Sequence, residues 1–173
     1  MTREDQLFKA LEKGDSSALD ELIGLYYPEI LRYCLWHAPN RSLAEDAAQE
    51  TFLKAIRYFD RYNHRGKWRP FLYRVAANTC IDMQRKMRNT DISIEELVTE
   101  PAYDDQSMEA AELRQMVRGL PSNLQEIVLL RFGQDMTLRE IAQVLDLPMR
   151  TVQSRLRSAL KQLKKHFTEG GSL

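Results

Sequence analysis

The chain has little of what marks most catalytic, secreted or membrane proteins. Of its 173 residues two are cysteine, Cys34 and Cys80, and three are histidine, His37, His64 and His166. Both cysteines sit inside apolar helical patterns and read as small buried hydrophobes in a reducing cytoplasm, not as a disulfide or a metal pair. The histidines lack the spacing of metal ligands. No apolar run reaches the roughly 20 residues needed to cross a bilayer, and the opening MTREDQLFKAL lacks the form of a signal peptide. Glycines (7) and prolines (6) are few and fall between periodic segments, and strand-like alternation is absent. These absences predict a cytoplasmic, all-α protein with no metal and no cofactor.

Net charge is also missing, at 25 bases against 25 acids, but the balance is local. Residues 1–53 carry 5 bases and 10 acids, and residues 54–88 carry 10 bases and 2 acids. Residues 91–112 hold 8 acids and no base, whereas 147–167 hold 6 bases and no acid. Two basic blocks separated by an acidic one predict two separate surfaces for a polyanion.

The first half reads as a series of helices. One runs from about Thr2 to Lys13, with Thr2 as N-cap and Gly14 ending it. The next starts near Asp15–Ser16 and is expected to kink or break at Pro28, then stop at Pro39-Asn40. Ser42-Leu43-Ala44-Glu45 has the form of a capping box for a third helix, with Ala48, Phe52, Ala55, Ile56 and Phe59 among its apolar positions. Asp46, Gln49, Glu50 and Lys54 line its other side; taken alone, that is an ordinary solvated face.

The stretch Trp68 to Arg88 organises this half. Trp68, Phe71, Leu72, Val75, Ala76 and Thr79 recur at helical spacing, while Arg74, Asn78, Asp82 and Arg85 point away from them. An aromatic buried face with a basic, amide-bearing outer face suits a nucleic-acid reader; a solvated Arg-rich helix in a bundle has the same pattern. The preceding loop, DRYNHRGK, offers Arg61, Asn63, Arg65, Lys67 and the aromatic Tyr62, which suit unstacked single-stranded bases.

Periodicity fails from about Asn89 to Gln106, where acids dominate, so this stretch reads as a flexible linker. The second half then carries a helix from Ser107 to Gly119, another opened by Pro121, and the capping box Thr137-Leu138-Arg139-Glu140. Asp146-Leu147-Pro148 makes a tight corner before a last helix from Met149 to about Phe167. Two helices across such a corner form a helix-turn-helix. Val152, Leu156, Ala159, Leu160 and Leu163 form the expected buried stripe. Arg150, Thr151, Ser154, Arg155 and Arg157 remain outside near its N-terminal end, where they could meet base edges in a major groove.

Taken together, AEDAAQETFLKAIRYF (44–59), FLYRVAANTCIDMQRK (71–86), LPSNLQEIVLLRF (120–132) and TLREIAQVLDLPMRTVQSRL (137–156) resemble the extracytoplasmic-function group of bacterial sigma-70 factors. The resemblance spans nearly the whole chain. It implies two helical domains, 1–89 (core polymerase and −10 element) and 107–173 (−35 element), joined by the acidic linker 90–106. It implies that Asp46, Gln49, Glu50 and Phe52 dock on the clamp helices of the largest subunit of core RNA polymerase. Arg61, Asn63, Arg65, Lys67, Trp68, Phe71, Arg74, Asn78 and Arg85 would recognise and open the −10 element. Arg150, Thr151, Ser154, Arg155 and Arg157 would read the −35 duplex while their domain meets the polymerase flap.

The implied partners are core polymerase, promoter DNA and a membrane-anchored anti-sigma factor, with no small-molecule substrate. This is a binding protein rather than a catalyst. Two departures stand out. The family's Phe-x-x-Trp-Leu is here Trp68-x-x-Phe71-Leu72, and a common Gly before Thr-Val is here Arg150. A stand-alone helix-turn-helix regulator with an N-terminal sensor is the runner-up. A metal-dependent hydrolase using Asp46 and Glu50 lacks a second carboxylate pair.

Overall fold

The computed structural model describes residues 1–59, 67–89 and 107–170, with side chains as far as Thr168. The loop residues Arg61, Asn63 and Arg65 and the acidic stretch 90–106 lie outside these. Every regular element among the described residues is helical. The chain divides into two compact units, Met1–Ala102 and Tyr103–Leu173.

The first unit begins with α1 (Arg3–Glu12), and its start is fixed by the cap read from sequence. The Asp5 amide donates to Thr2 Oγ1 at 3.1 Å and the Thr2 amide donates to Asp5 Oδ2 at 3.0 Å. Gly14, at φ +89, turns the chain into α2 (Ser17–His37). This helix continues through Pro28, so the chain does not break there. A proline inside a helix costs about 3 kcal/mol through a lost N–H and a clash with the carbonyl four residues back. That carbonyl belongs to Gly24, whose surroundings are open to 4 Å around the missing Cβ. Leu22 before the proline and Ile30, Tyr33 and Cys34 after it are all buried, so packing holds the helix on both sides of it.

The third helix, α3 (Arg41–Arg57), is capped not by Ser42 but by Asn40, whose Oδ1 accepts from the Leu43 amide at 2.8 Å. Asn is as good an N-cap as Ser. Starting there also sets Arg41 against Glu45, one turn on, at 3.1 Å. Then α4 (Trp68–Asn89) packs on both α2 and α3, while α1 lies across α2. An aromatic cluster ties three elements together: Phe8 of α1 stacks on Phe59 at 5.6 Å and meets Trp68 edge-on at 5.4 Å.

In the second unit Ser107 caps α5 (Met108–Arg118). Pro121, at the N-cap, opens α6 (Ser122–Val128), which widens into a π-helical turn, Leu129–Gly133. Arg131 closes that turn by donating to the Met136 carbonyl at 2.8 Å. The expected capping box opens α7 (Leu138–Leu145): the Glu140 amide donates to Thr137 Oγ1, and the Thr137 amide to Glu140 Oε1, both at 3.1 Å. The last helix, α8 (Met149–Gly170), lies against α6 and α7. Ile127, Leu130, Met136, Ile141 and Val152 are fully buried at their meeting point.

Candidate nucleic-acid and partner interfaces

On α3, Asp46 and Gln49 are exposed and Glu50 is half-buried. Phe52 is not part of this face. It is 5 % exposed and packs on Tyr27 at a ring distance of 5.9 Å, so its expected docking role is corrected to a core role. The neighbouring residue takes the outward position: Leu53, 50 % exposed, falls between Gln49 and Asp46 around the helix. An exposed leucine among acids escapes the sequence pattern because its place in the chain, beside Phe52, puts it off the apolar repeat.

The acids also rim a groove between α3 and α4 of about 590 Å³. Leu43, Ala47, Met83 and Met87 form its apolar lining, with Asp46, Glu50 and Asp82 facing Lys54 and Lys86 around it. Lys54 crosses the two helices, lying 3.7 Å from Asp82 and donating to Thr79 Oγ1 at 3.3 Å. Met83 and Met87 stand one turn apart on α4, the periodic signal that could have revealed the groove.

On α4 the outward residues are Lys67, just before the helix, and Arg74, Asn78 and Arg85, all exposed. Phe71 is half-buried, tilted against Trp68 at 5.4 Å. Trp68 itself is 3 % exposed beneath Phe8, Phe59 and Phe71, so it offers no surface to a base and its expected contact role is corrected. The larger indole is the one that sinks into the cluster; the smaller ring stays at its edge. Arg69, next to it, turns inward and donates from Nε to Glu29 Oε1 at 2.8 Å.

The helix-turn-helix corner is built as its residues require. The chain leaves α7 through Asp146, held at φ +54, and the Leu147 amide donates back to the Ala142 carbonyl at 3.0 Å. Pro148 then starts α8, its carbonyl accepting from the Thr151 and Val152 amides. Arg150, Ser154 and Arg157 are exposed on one face, opposite the buried Val152 and Ala159. Thr151 and Arg155 are half-buried on its flank. Leu160, expected in the buried stripe, is 43 % exposed, because it lies at the edge of the stripe, about 80–100° around the helix from the fully buried Val152 and Ala159.

Among the described residues no group of three or more His, Cys, Asp or Glu could hold a metal ion, and no helix is long and apolar enough to cross a membrane. Helices with a basic outer face, one of them in a helix-turn-helix, define a DNA-binding protein of the transcription class. Comparison with known families narrows this. Residues 22–90 match Sigma-70 region 2 and residues 110–163 match Sigma-70, region 4. The RNA polymerase sigma factor YlaC of Bacillus subtilis is 30 % identical over 88 % of this chain and 93 % of its own length. The ECF RNA polymerase sigma factor SigW of the same organism is 25 % identical over 93 % and 95 %.

Among solved structures, CnrH in complex with the cytosolic domain of CnrY covers 97 % of this chain and 99 % of its own, with a TM-score of 0.73 at 19 % identity. The sigma factor RpoE in complex with the anti-sigma factor NepR, from Bartonella quintana, covers 84 % and 94 % with a TM-score of 0.68 at 17 % identity. The chain belongs to the sigma-70 family of RNA polymerase sigma factors, in its extracytoplasmic-function group. The region 2 match occupies the half where a sensor would sit, which sets aside the stand-alone regulator.

Proposed function

We propose that the two units divide promoter recognition between them in the cytoplasm. The first docks on the clamp helices of core RNA polymerase through α3 and reads and opens the −10 element through α4. The second reads the −35 element as duplex through α8 while its domain meets the polymerase flap. The observation that supports this division is the placement of charge. Each of the three helices turns a charged face outward, opposite the stripe that packs it: acidic on α3, basic on α4 and α8.

The chemistry follows from those faces. Cations on α4 and α8 neutralise phosphates and release counterions, which supplies affinity and register without sequence information. Arg150 and Arg157 are long donors able to reach guanine edges, and Ser154 accepts or donates to either base pair. Asn78 is an exposed amide on α4, suited to an adenine edge or to an unpaired base. Opening the duplex costs a few kcal/mol for each flipped base. Capture of unstacked bases beside Phe71, Arg74 and Asn78 offsets that cost. The catalysis of RNA synthesis stays with the polymerase, and this chain acts by binding.

On the α3 side, Asp46, Gln49 and Glu50 surround Leu53, so an apolar anchor with an acidic rim meets a partner helix that is basic and partly apolar. The structures of CnrH with the cytosolic domain of CnrY and of RpoE with NepR support an anti-sigma partner for this chain as well.

The test is binding of the full chain to bacterial core polymerase, with and without Asp46, Gln49 and Glu50 replaced together by Ala. All three are at least partly exposed, so the fold tolerates the change. A loss of tenfold or more in affinity is expected. Unchanged binding would remove the docking surface from α3, and no binding by the intact chain would overturn the division of roles as a whole.

A further inference from the structure

The last helix is longer than a recognition helix needs to be. It spans 22 residues, about 33 Å, while a major groove is about 12 Å wide. Its charge does not stop where the groove would. At about 100° per residue, Arg150, Ser154, Arg157, Lys161, Lys164 and Lys165 all fall within roughly 100° of the helix circumference. That arc lies opposite Val152 and Ala159, which are fully buried.

Lys161, Lys164 and Lys165 are exposed and form no ion pair among the described residues. From Leu147 through Phe167 the chain carries no acid at all. On a merely solvated helical surface both signs alternate at this spacing and pair across turns. Here one sign runs along one arc, in line with the residues that face the bases.

We propose that Lys161, Lys164 and Lys165 form a phosphate-binding extension of the −35 contact. A helix that places Arg150 and Ser154 at the base edges brings its next turns up and out of the groove, over the sugar-phosphate strand that borders it. Lys161 lies about 10 Å beyond Ser154 along the axis, and Lys165 about 16 Å. The three ammonium groups there meet the backbone of the strand that the early residues do not read. Lysine suits such a contact because it is a compact point charge on a flexible stem, without the planar fork that selects a base edge. The extension contributes affinity and holds the helix in its groove angle, and it carries no sequence preference.

This assignment rests on the reading of α8 as the −35 helix, and the experiment separates the two. Holoenzyme assembled with the full chain is bound to promoter duplex carrying either the preferred or a scrambled −35 element, over a series of salt concentrations. Each phosphate contact contributes about 0.9 to the slope of log affinity against log salt. Replacing Lys161, Lys164 and Lys165 with Gln is expected to lower that slope by between about 2 and 3. The ratio of affinities for the two duplexes stays the same, and so does the melting temperature.

A slope unchanged by the triple variant, with the intact protein still distinguishing the two duplexes, would overturn the extension alone. Failure of the intact protein to distinguish any −35 sequence would overturn the reading of α8 beneath it. A loss of discrimination in the triple variant would show that the lysines read bases, and would also reject the proposal.

Discussion

Glu29 on α2 and Arg69 on α4 form an ion pair of 2.8 Å with side chains only 21 % and 25 % exposed. The Arg69 guanidinium also lies 5.4 Å from the centre of the Tyr73 ring, so one cation joins a carboxylate and an aromatic face. The pair ties α4 to α2. Removing one partner leaves the other poorly solvated, which costs more than an ordinary surface pair. Glu29→Ala is expected to destabilise the first unit by about 1–2 kcal/mol. Both tryptophans, Trp36 and Trp68, belong to that unit, so tryptophan fluorescence in a denaturant titration follows it selectively. No shift in midpoint would show that the pair contributes nothing.

The same cluster predicts a response to alkali. Burial, with Glu29 beside it, pushes the Tyr73 phenol well above its ordinary value, although the nearby Arg69 works against this. Burial and a hydrogen bond to Glu4 raise Tyr26 in the same way. A phenol whose folded pKa exceeds its unfolded value contributes stability fully present below about pH 10 and lost as pH climbs beyond it. Stability of the first unit is therefore expected to fall between about pH 10 and 11. Tyr73→Phe should flatten that fall when fluorescence-monitored unfolding is compared at the two pH values; an equal fall in both proteins would refute the assignment.

At the helix-turn-helix corner, Asp146 holds a left-handed backbone that costs most side chains about 1–2 kcal/mol. Asp146→Gly should therefore preserve stability and −35 binding, whereas a β-branched Asp146→Val should lower the stability of the second unit by about that amount. Calorimetry of both variants checks this. Equal melting temperatures would mean that the corner adapts without strain.

Arg150 stands exposed at the start of α8, on the face opposite the buried Val152. Arg150→Gly is expected to weaken binding to the preferred −35 duplex by about 1–3 kcal/mol and to relax its sequence preference at one position. Competition among duplexes with single base changes reads both. If neither quantity moved, Arg150 would be a bystander in solvent.

The Sγ atoms of Cys34 and Cys80 face each other at 3.9 Å, fully enclosed between α2 and α4. Thiol-reactive dye should therefore label neither in the folded protein within minutes, and both once denaturant is added. Rapid labelling of the native chain would show that these helices separate.

The elements with a strong local signature are legible in the sequence. The N-cap at Thr2 and the capping box at Thr137 start their helices where the pattern predicts, because a cap depends on residues within one turn. What depends on distant packing is not legible. Pro28 signals a kink or a break, and the burial of residues on either side of it keeps the helix from breaking. Asn40 and Ser42 are both good caps, and nothing local chooses between them.

Site residues follow the same rule. Asp46 and Gln49 on α3, Arg74, Asn78 and Arg85 on α4, and Arg150, Ser154 and Arg157 on α8 face outward as their periodicity dictates. Phe52 and Trp68, large and apolar, turn inward, while Leu53 beside Phe52 is exposed and Phe71 beside Trp68 is half-buried. Periodicity gives a direction around one helix, but not where the neighbouring helix stops covering it. The π-helical turn at Leu129–Gly133 has no sequence mark that would separate it from an ordinary helix end.

The opposition of two arcs on α8 has a further consequence for how such a protein can diverge. Val152 and Ala159 are the fully buried side chains of the helix, and Arg150, Ser154 and Arg157 stand exposed on its far side. A lineage can therefore exchange Arg150, Ser154 or Arg157 one at a time, trying new promoter vocabularies, while the folded scaffold stays neutral to the experiment.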